Sequence, residues 1–167
     1  MASLIGSYSL SFGLFLSVFI IFFSVRNLRD TEILDKKIIS FTFTQFFFVV
    51  LSFFGLIISF INSDFSNETV FNHSHTTKPL FYKISGTWGN HEGSLLLWLL
   101  VLTLFISIFL IKSSQQPKNY RIFTLLFQQI IIIGFFIFLI KTSSPFNYIF
   151  PTPNEGLGLN PILQDPA

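Results

Sequence analysis

The sequence predicts an all-α integral membrane protein: four transmembrane helices, with both termini on the outer side, the intermembrane-space side in a mitochondrion. Three observations carry this. Of 167 residues, 51% are hydrophobic and 11% charged, and mean hydropathy is +0.67; an average soluble domain has roughly 25% charged residues. The apolar residues fall into four long runs. The cations fall mostly into two short loops.

The runs are residues 7–25, 38–61, 94–111 and 122–140. Each is long enough to cross roughly 30 Å of hydrocarbon as a helix. Each must be helical, because lipid offers no partner to backbone N–H and C=O groups. Arg26 stops the first, Lys112 the third and Lys141 the fourth, and no proline interrupts any of them. The third is the shortest, and an earlier start, near Trp88, is an open expectation. These runs organise residues 1–141 around a polar loop, 62–93, and leave a tail, 142–167. Prolines at 145, 151, 153, 161 and 166, with glycines at 156 and 158, forbid a long helix in the tail. Extended or turn segments on the surface are expected there, with a short turn near Ile162-Leu163-Gln164.

Charge gives the orientation. Arg26, Arg29, Lys36 and Lys37 lie between the first two runs, and Lys112, Lys118 and Arg121 between the last two. Lys78, Lys83 and Lys141 are spread thinly over the other side. Short basic loops stay inside, so the 62–93 loop, the tail and both termini are expected outside. The net charge of +2 gives no reason to expect nucleic acid as a partner.

Cysteine is absent, which excludes a disulfide, a thiolate metal site or a cysteine nucleophile within the chain. Phenylalanine occurs 25 times, and alanine only at Ala2 and Ala167. Codons for Phe, Ile, Asn and Lys are AT-rich, so this bias points to an AT-rich, organellar genome. The absence of an Arg-rich, acid-poor leader before the first run agrees with synthesis inside the organelle.

The chain is organised around Trp88-Gly89-Asn90-His91-Glu92-Gly93-Ser94, followed by Leu95-Leu96-Leu97-Trp98. A His-Glu pair between two glycines sits where a membrane helix begins. Tryptophans at both ends suit the lipid–water boundary. Two readings stand side by side. In one, His91 binds or ligates something at the membrane edge, with Glu92 tuning it. In the other the segment is structural: Ser94 caps the third helix, Glu92 favours its positive end, and Gly89 and Gly93 permit tight turns.

The segment Trp88–Trp98, W-G-N-H-E-G-S-L-L-L-W, resembles the signature of the CcmF-type cytochrome c haem lyases of bacterial-type cytochrome c maturation. The flanks agree. Residues from Asn72-His73-Ser74 to Tyr82-Lys83-Ile84 resemble the family's segment before the signature. Pro145-Phe146, Pro151-Thr152-Pro153-Asn154-Glu155-Gly156 and Leu159-Asn160-Pro161-Ile162-Leu163-Gln164-Asp165-Pro166 resemble the stretch leading to its first outer-face haem histidine. The likeness spans about residues 62–167. It marks Glu155, Gly156, Asn160, Pro161, Gln164, Asp165 and Pro166 as an outer-face tail motif. The family's Glu-Gly-Arg-Asp-Leu-Asn-Pro-like pattern is here Glu155-Gly156-Leu157-Gly158-Leu159-Asn160-Pro161, without its charged pair.

The resemblance implies a role in cytochrome c maturation with haem as cofactor. The complete protein would take haem from a CcmE-like chaperone and join it to apocytochrome c. Its haem histidines and Trp-rich segment would follow beyond residue 167, and no histidine lies within a membrane run, so no haem ligand or catalytic residue carries over to this chain. The expectation is the N-terminal portion of a split haem lyase in the mitochondrial inner membrane, or in a bacterial inner membrane if the gene is not organellar. This chain would supply scaffold and part of the outer-face platform. Its partners would be the remaining lyase portions and membrane lipid. The alternative is a structural membrane subunit of a respiratory assembly.

Other residues have plainer readings. His73 and His75 form H-x-H, which needs a third ligand to hold a metal; a solvated loop is the expectation. Asn67-Glu68-Thr69 and Asn72-His73-Ser74 match a glycosylation pattern that such a membrane would not use. Gln45, Gln128 and Gln129 lie within membrane runs, where amides bond across helices.

Overall fold

In the computed structural model, residues 1–30, 34 and 36–158 are described. Six helices follow in order: α1 Ala2–Asp30, α2 Lys36–Ile61, α3 Glu68–His73, α4 Leu80–Gly86, α5 His91–Lys112 and α6 Lys118–Lys141. Four of them, α1, α2, α5 and α6, are long and apolar enough to cross a membrane.

The helices outrun the apolar segments that announced them. α1 covers 29 residues, where the first apolar run covers 7–25. An apolar run marks the part of a helix that lies in lipid. Helix formation continues past it wherever residues such as Arg and Leu keep good propensity and the helix still has a neighbour to pack on. Asn27, beyond the run, is buried.

The four long helices form a ring in which α1 packs on α2 and α6, and α5 packs on α2 and α6. The centre is filled by Leu10, Ile20, Val49, Leu56, Leu99, Ile106, Leu125, Ile132 and Phe136, all nearly inaccessible. Small residues set the α1–α2 crossing: a Cβ on Gly55 would come within 3.0 Å of the Ala2 carbonyl and 3.1 Å of Gly6 Cα. Close backbone approach of this kind replaces the hydrophobic drive that lipid removes. Phenylalanines serve both surfaces. Phe53, Phe60 and Phe136 are buried, while Phe15, Phe22, Phe47 and Phe54 face outward.

Two of the three membrane glutamines meet in the core. Gln45 and Gln129 are both fully buried. The Gln129 amide donates to Gln45 Oε1 at 2.9 Å, and the Gln45 amide donates to Gln129 Oε1 at 3.2 Å. Gln45 also donates to Ser17 Oγ and to the Gly13 carbonyl at 3.4 Å. The contact ties α1, α2 and α6 together at mid-depth. Gln128 does not join it.

The loop 62–93 contains α3 and α4, which the polar composition did not announce. Asn67 caps α3, its side-chain oxygen accepting from the amides of Thr69 and Val70. Its nitrogen donates to Ser3 Oγ at 3.0 Å and to the Pro145 carbonyl at 2.9 Å. One buried asparagine thus holds the start of α1, the start of α3 and the exit from α6. An isolated antiparallel bridge, Asn67 to Tyr148, continues the join, with Glu68 N donating to Asn147 O and Ile149 N to Ser66 O. The starts of α1 and α5 and the ends of α2 and α6 therefore share one end of the bundle with the loop and the tail. The opposite end carries the basic loops. There Arg121, itself buried, donates to the Leu110 carbonyl at 2.6 Å and to Ser113 Oγ at 3.1 Å, satisfying the end of α5.

Candidate functional site

The signature residues form the turn between α4 and α5 and the first turns of α5. After α4 the chain reverses tightly: the amides of Trp88 and Gly89 both donate to the Ser85 carbonyl, at 3.3 and 3.1 Å. α5 therefore starts earlier than its apolar run, at His91, but not as far back as Trp88.

The cap is Asn90, not Ser94. The side-chain oxygen of Asn90 accepts from the Gly93 amide at 2.7 Å. Its nitrogen reaches back to the carbonyls of Gly86 at 2.8 Å and Thr87 at 3.1 Å. Ser94 lies inside the first turn, where its amide already bonds the Asn90 carbonyl, and its hydroxyl donates to the His91 carbonyl at 3.0 Å. Asparagine in an extended conformation is among the best N-caps. Asn90 lies within the segment around which the chain is organised, but Ser94 stands next to the apolar run and so carries the more obvious sequence signal for a cap.

Gly93 is fixed by space. A Cβ there would lie 1.6 Å from the Thr87 carbonyl oxygen. The turn folds its own backbone into the position a side chain would occupy. Glu92 stands in the first turn of α5, at the positive end of the helix dipole. Its Oε2 is buried without a hydrogen-bond partner, as is the Thr87 hydroxyl. His91 is exposed. Its Nδ1 lies 3.1 Å from Ser143 Oγ just beyond α6, and its ring meets Phe138 edge-on with centroids 6.4 Å apart. Trp88 and Trp98 are both exposed, with Trp98 two turns into α5.

The described part of the tail motif, Glu155 and Gly156, docks on the end of α3 and the segment after it. Glu155 accepts from the Thr76 amide at 2.9 Å and from its hydroxyl. These two donors, the hydroxyl first, hold its carboxyl below the ordinary carboxylate value. Gly156 fits because a Cβ would lie 2.2 Å from the Ser74 carbonyl. The amides of Leu157 and Gly158 then bond Phe71 O at 2.8 Å and Ser74 O at 3.1 Å. Asn160, Pro161, Gln164, Asp165 and Pro166, and the expected turn at Ile162-Leu163-Gln164, lie outside the described residues.

The H-x-H pair does not converge. His73 Nδ1 sits 3.0 Å from the Thr69 carbonyl, while His75 Nδ1 sits 2.9 Å from Thr77 Oγ1 and its Nε2 3.8 Å from Glu155. Lys78 packs between these loops, donating to the His73 carbonyl at 3.0 Å, and burial lowers its pKa. The three histidines thus have separate neighbours. Among the described residues no group of three His, Cys, Asp or Glu could hold a metal ion. The described histidines offer no converging pair for a haem held by this chain alone.

Residues 88–167 match the family model described as cytochrome C assembly protein. A cytochrome c-type biogenesis protein CycK of Bradyrhizobium diazoefficiens is 41% identical over 162 residues, covering 96% of this chain and 24% of that protein. CycK of Rhizobium meliloti is 44% identical over 120 residues, covering 72% of this chain and 18% of that protein. A solved structure of the cytochrome c haem lyase CcmF superposes with a TM-score of 0.75 at 25% identity, covering 88% of this chain and 25% of that one. The chain belongs to the CcmF-type cytochrome c biogenesis family. It spans about a quarter of the length of the Bradyrhizobium CycK protein. The match to that family model begins at Trp88, in the turn between α4 and α5 just described.

Proposed function

We propose that this chain is the N-terminal portion of a CcmF-type haem lyase, and that the end of the bundle carrying the signature is part of the outer-face platform where haem is joined to apocytochrome c. One observation supports this most: the signature turn touches the α6 exit, and both share one end of the membrane bundle with the described tail residues, away from the basic loops. The positive-inside bias then puts that end outside. The AT-rich composition favours the mitochondrial inner membrane over a bacterial one. Haem in the complete lyase is held by residues in the other portions, with the Trp-rich segment among them. A CcmE-like chaperone delivers it and apocytochrome c receives it. This chain positions these partners and is not catalytic by itself.

The test is holocytochrome c formation, read by haem staining and spectra of membranes. His91→Ala and Glu92→Ala should lower it more than His73→Ala, because His91 bridges α5 to Ser143 while His73 bonds only within α3. His91→Gln, which can still reach Ser143, should retain activity if the bond is what counts. Labelling of single-cysteine variants should reach residue 76 from the outer side and residue 116 from the inner side. Full cytochrome c levels in every variant would overturn the platform reading, and inverted labelling would overturn the orientation.

A further inference from the structure

Between α5 and α6 the bundle leaves an open apolar groove of about 360 Å³, lined by Leu95, Ile131, Gly134, Phe135 and Phe138. His91 stands at its head, against Phe138. A Cβ on Gly134 would meet nothing within 4 Å, so the groove is open where α6 is thinnest. Residues 128, 131, 135 and 138 recur at three- and four-residue spacing and share one face of α6. Gln128 is therefore on the groove side, near the middle of a 24-residue helix. It is half-buried, and its amide makes no hydrogen bond among the described residues. Gln129, its neighbour in sequence, is buried and bonded to Gln45.

A primary amide in hydrocarbon without a partner is costly. An acyl chain in the groove would cover its walls but leave that amide unpaired. A second helix can do both, since small residues admit close approach and amides bond across helices. The chain spans about a quarter of the length of the CycK relative, so other segments of the lyase are available to supply one. We infer that the α5/α6 groove seats a transmembrane helix from the remaining portion of the lyase, crossing α6 at Gly134 and offering a hydrogen-bonding group to Gln128. This rests on the proposed reading of the chain as one portion of a larger lyase. It puts the outer end of that helix beside His91.

The experiment uses the full chain, affinity-tagged in its native membrane. Gly134→Leu puts bulk into the groove from a position where a Cβ meets nothing within 4 Å. The purified variant should keep the helical content and thermal transition of the unsubstituted chain, yet its recovery of CcmF-family polypeptides should fall roughly tenfold or more, the equivalent of about 1.4 kcal/mol. Gln128→Leu should reduce recovery less. A photo-reactive benzoylphenylalanine at Ile131 should attach to an apolar peptide of such a polypeptide. Wild-type recovery with Gly134→Leu, or lipid adducts alone at Ile131, overturns this inference and leaves the proposed function standing. Failure of the unsubstituted chain to recover any CcmF-family polypeptide overturns both.

Discussion

The carbonyl oxygen of Thr87 lies 1.6 Å from the point where a Cβ would stand on Gly93. The backbone just before the signature thus packs against the backbone within it, and no side chain fits between. Gly93→Ala should cost about 3 kcal/mol or more, since the neighbour is backbone and cannot swing aside. Gly89→Ala meets the Ser85 carbonyl only at 3.3 Å and should cost below about 1 kcal/mol. Gly134→Ala, in open space within a helix, should be neutral or stabilising by about 0.5–1 kcal/mol. Unfolding of the three variants in mild detergent checks the order.

Asn90, as the true cap, should outweigh Ser94. Asn90→Ala removes the acceptor for the Gly93 amide and both back-bonds to Gly86 and Thr87. A loss of about 1–2 kcal/mol is expected. Ser94→Ala removes one hydroxyl bond to the His91 carbonyl, which is already within the helix, and should change stability by less than about 0.5 kcal/mol. Equal losses would mean that the cap does not hold this turn.

The Gln45–Gln129 contact should show coupling. Gln129→Leu leaves a buried amide short of a partner and should cost about 1–3 kcal/mol. Gln45→Leu should cost more, because it also removes the bonds that Gln45 donates to Ser17 Oγ and the Gly13 carbonyl. The double substitution should cost less than the two added together. Couplings between polar groups in membrane helices average about 0.6 kcal/mol and reach about 1.7. Strict additivity in a double-mutant cycle would show that the pair contributes nothing jointly.

The tail should undock in acid. The Thr76 hydroxyl and amide hold the Glu155 carboxyl below its ordinary value of 4.5. A depressed folded pKa gives a contribution that is complete above the unfolded value and is lost as pH falls through the folded one. Hydrogen-exchange protection of the Leu157 and Gly158 amides should therefore hold near neutrality and fall in more acid solution. Glu155→Gln should lower protection at neutral pH and flatten its pH dependence. Protection unchanged from neutral pH to about pH 3 would show that Glu155 does not pin the tail.

The number of membrane helices was legible because lipid imposes a one-dimensional rule: enough consecutive apolar residues must be helical. The eleven residues from Trp88 to Trp98 were legible for a different reason, that they form an unbroken word with a family likeness. The helix ends were not, since helices continue beyond the hydrocarbon where propensity and packing allow. Nor were α3, α4 or the role of Asn67, whose polar surroundings resembled an ordinary loop. The sequence by itself determined composition, span number and the position of the signature, all properties of consecutive residues. Only the tertiary structure decided that Asn90 caps α5, that Gln129 finds Gln45 while Gln128 does not, and that Glu155 reaches Thr76. Those pairings join residues far apart in the chain or choose between near neighbours, and which polar group finds a partner depends on how the helices are rotated against one another.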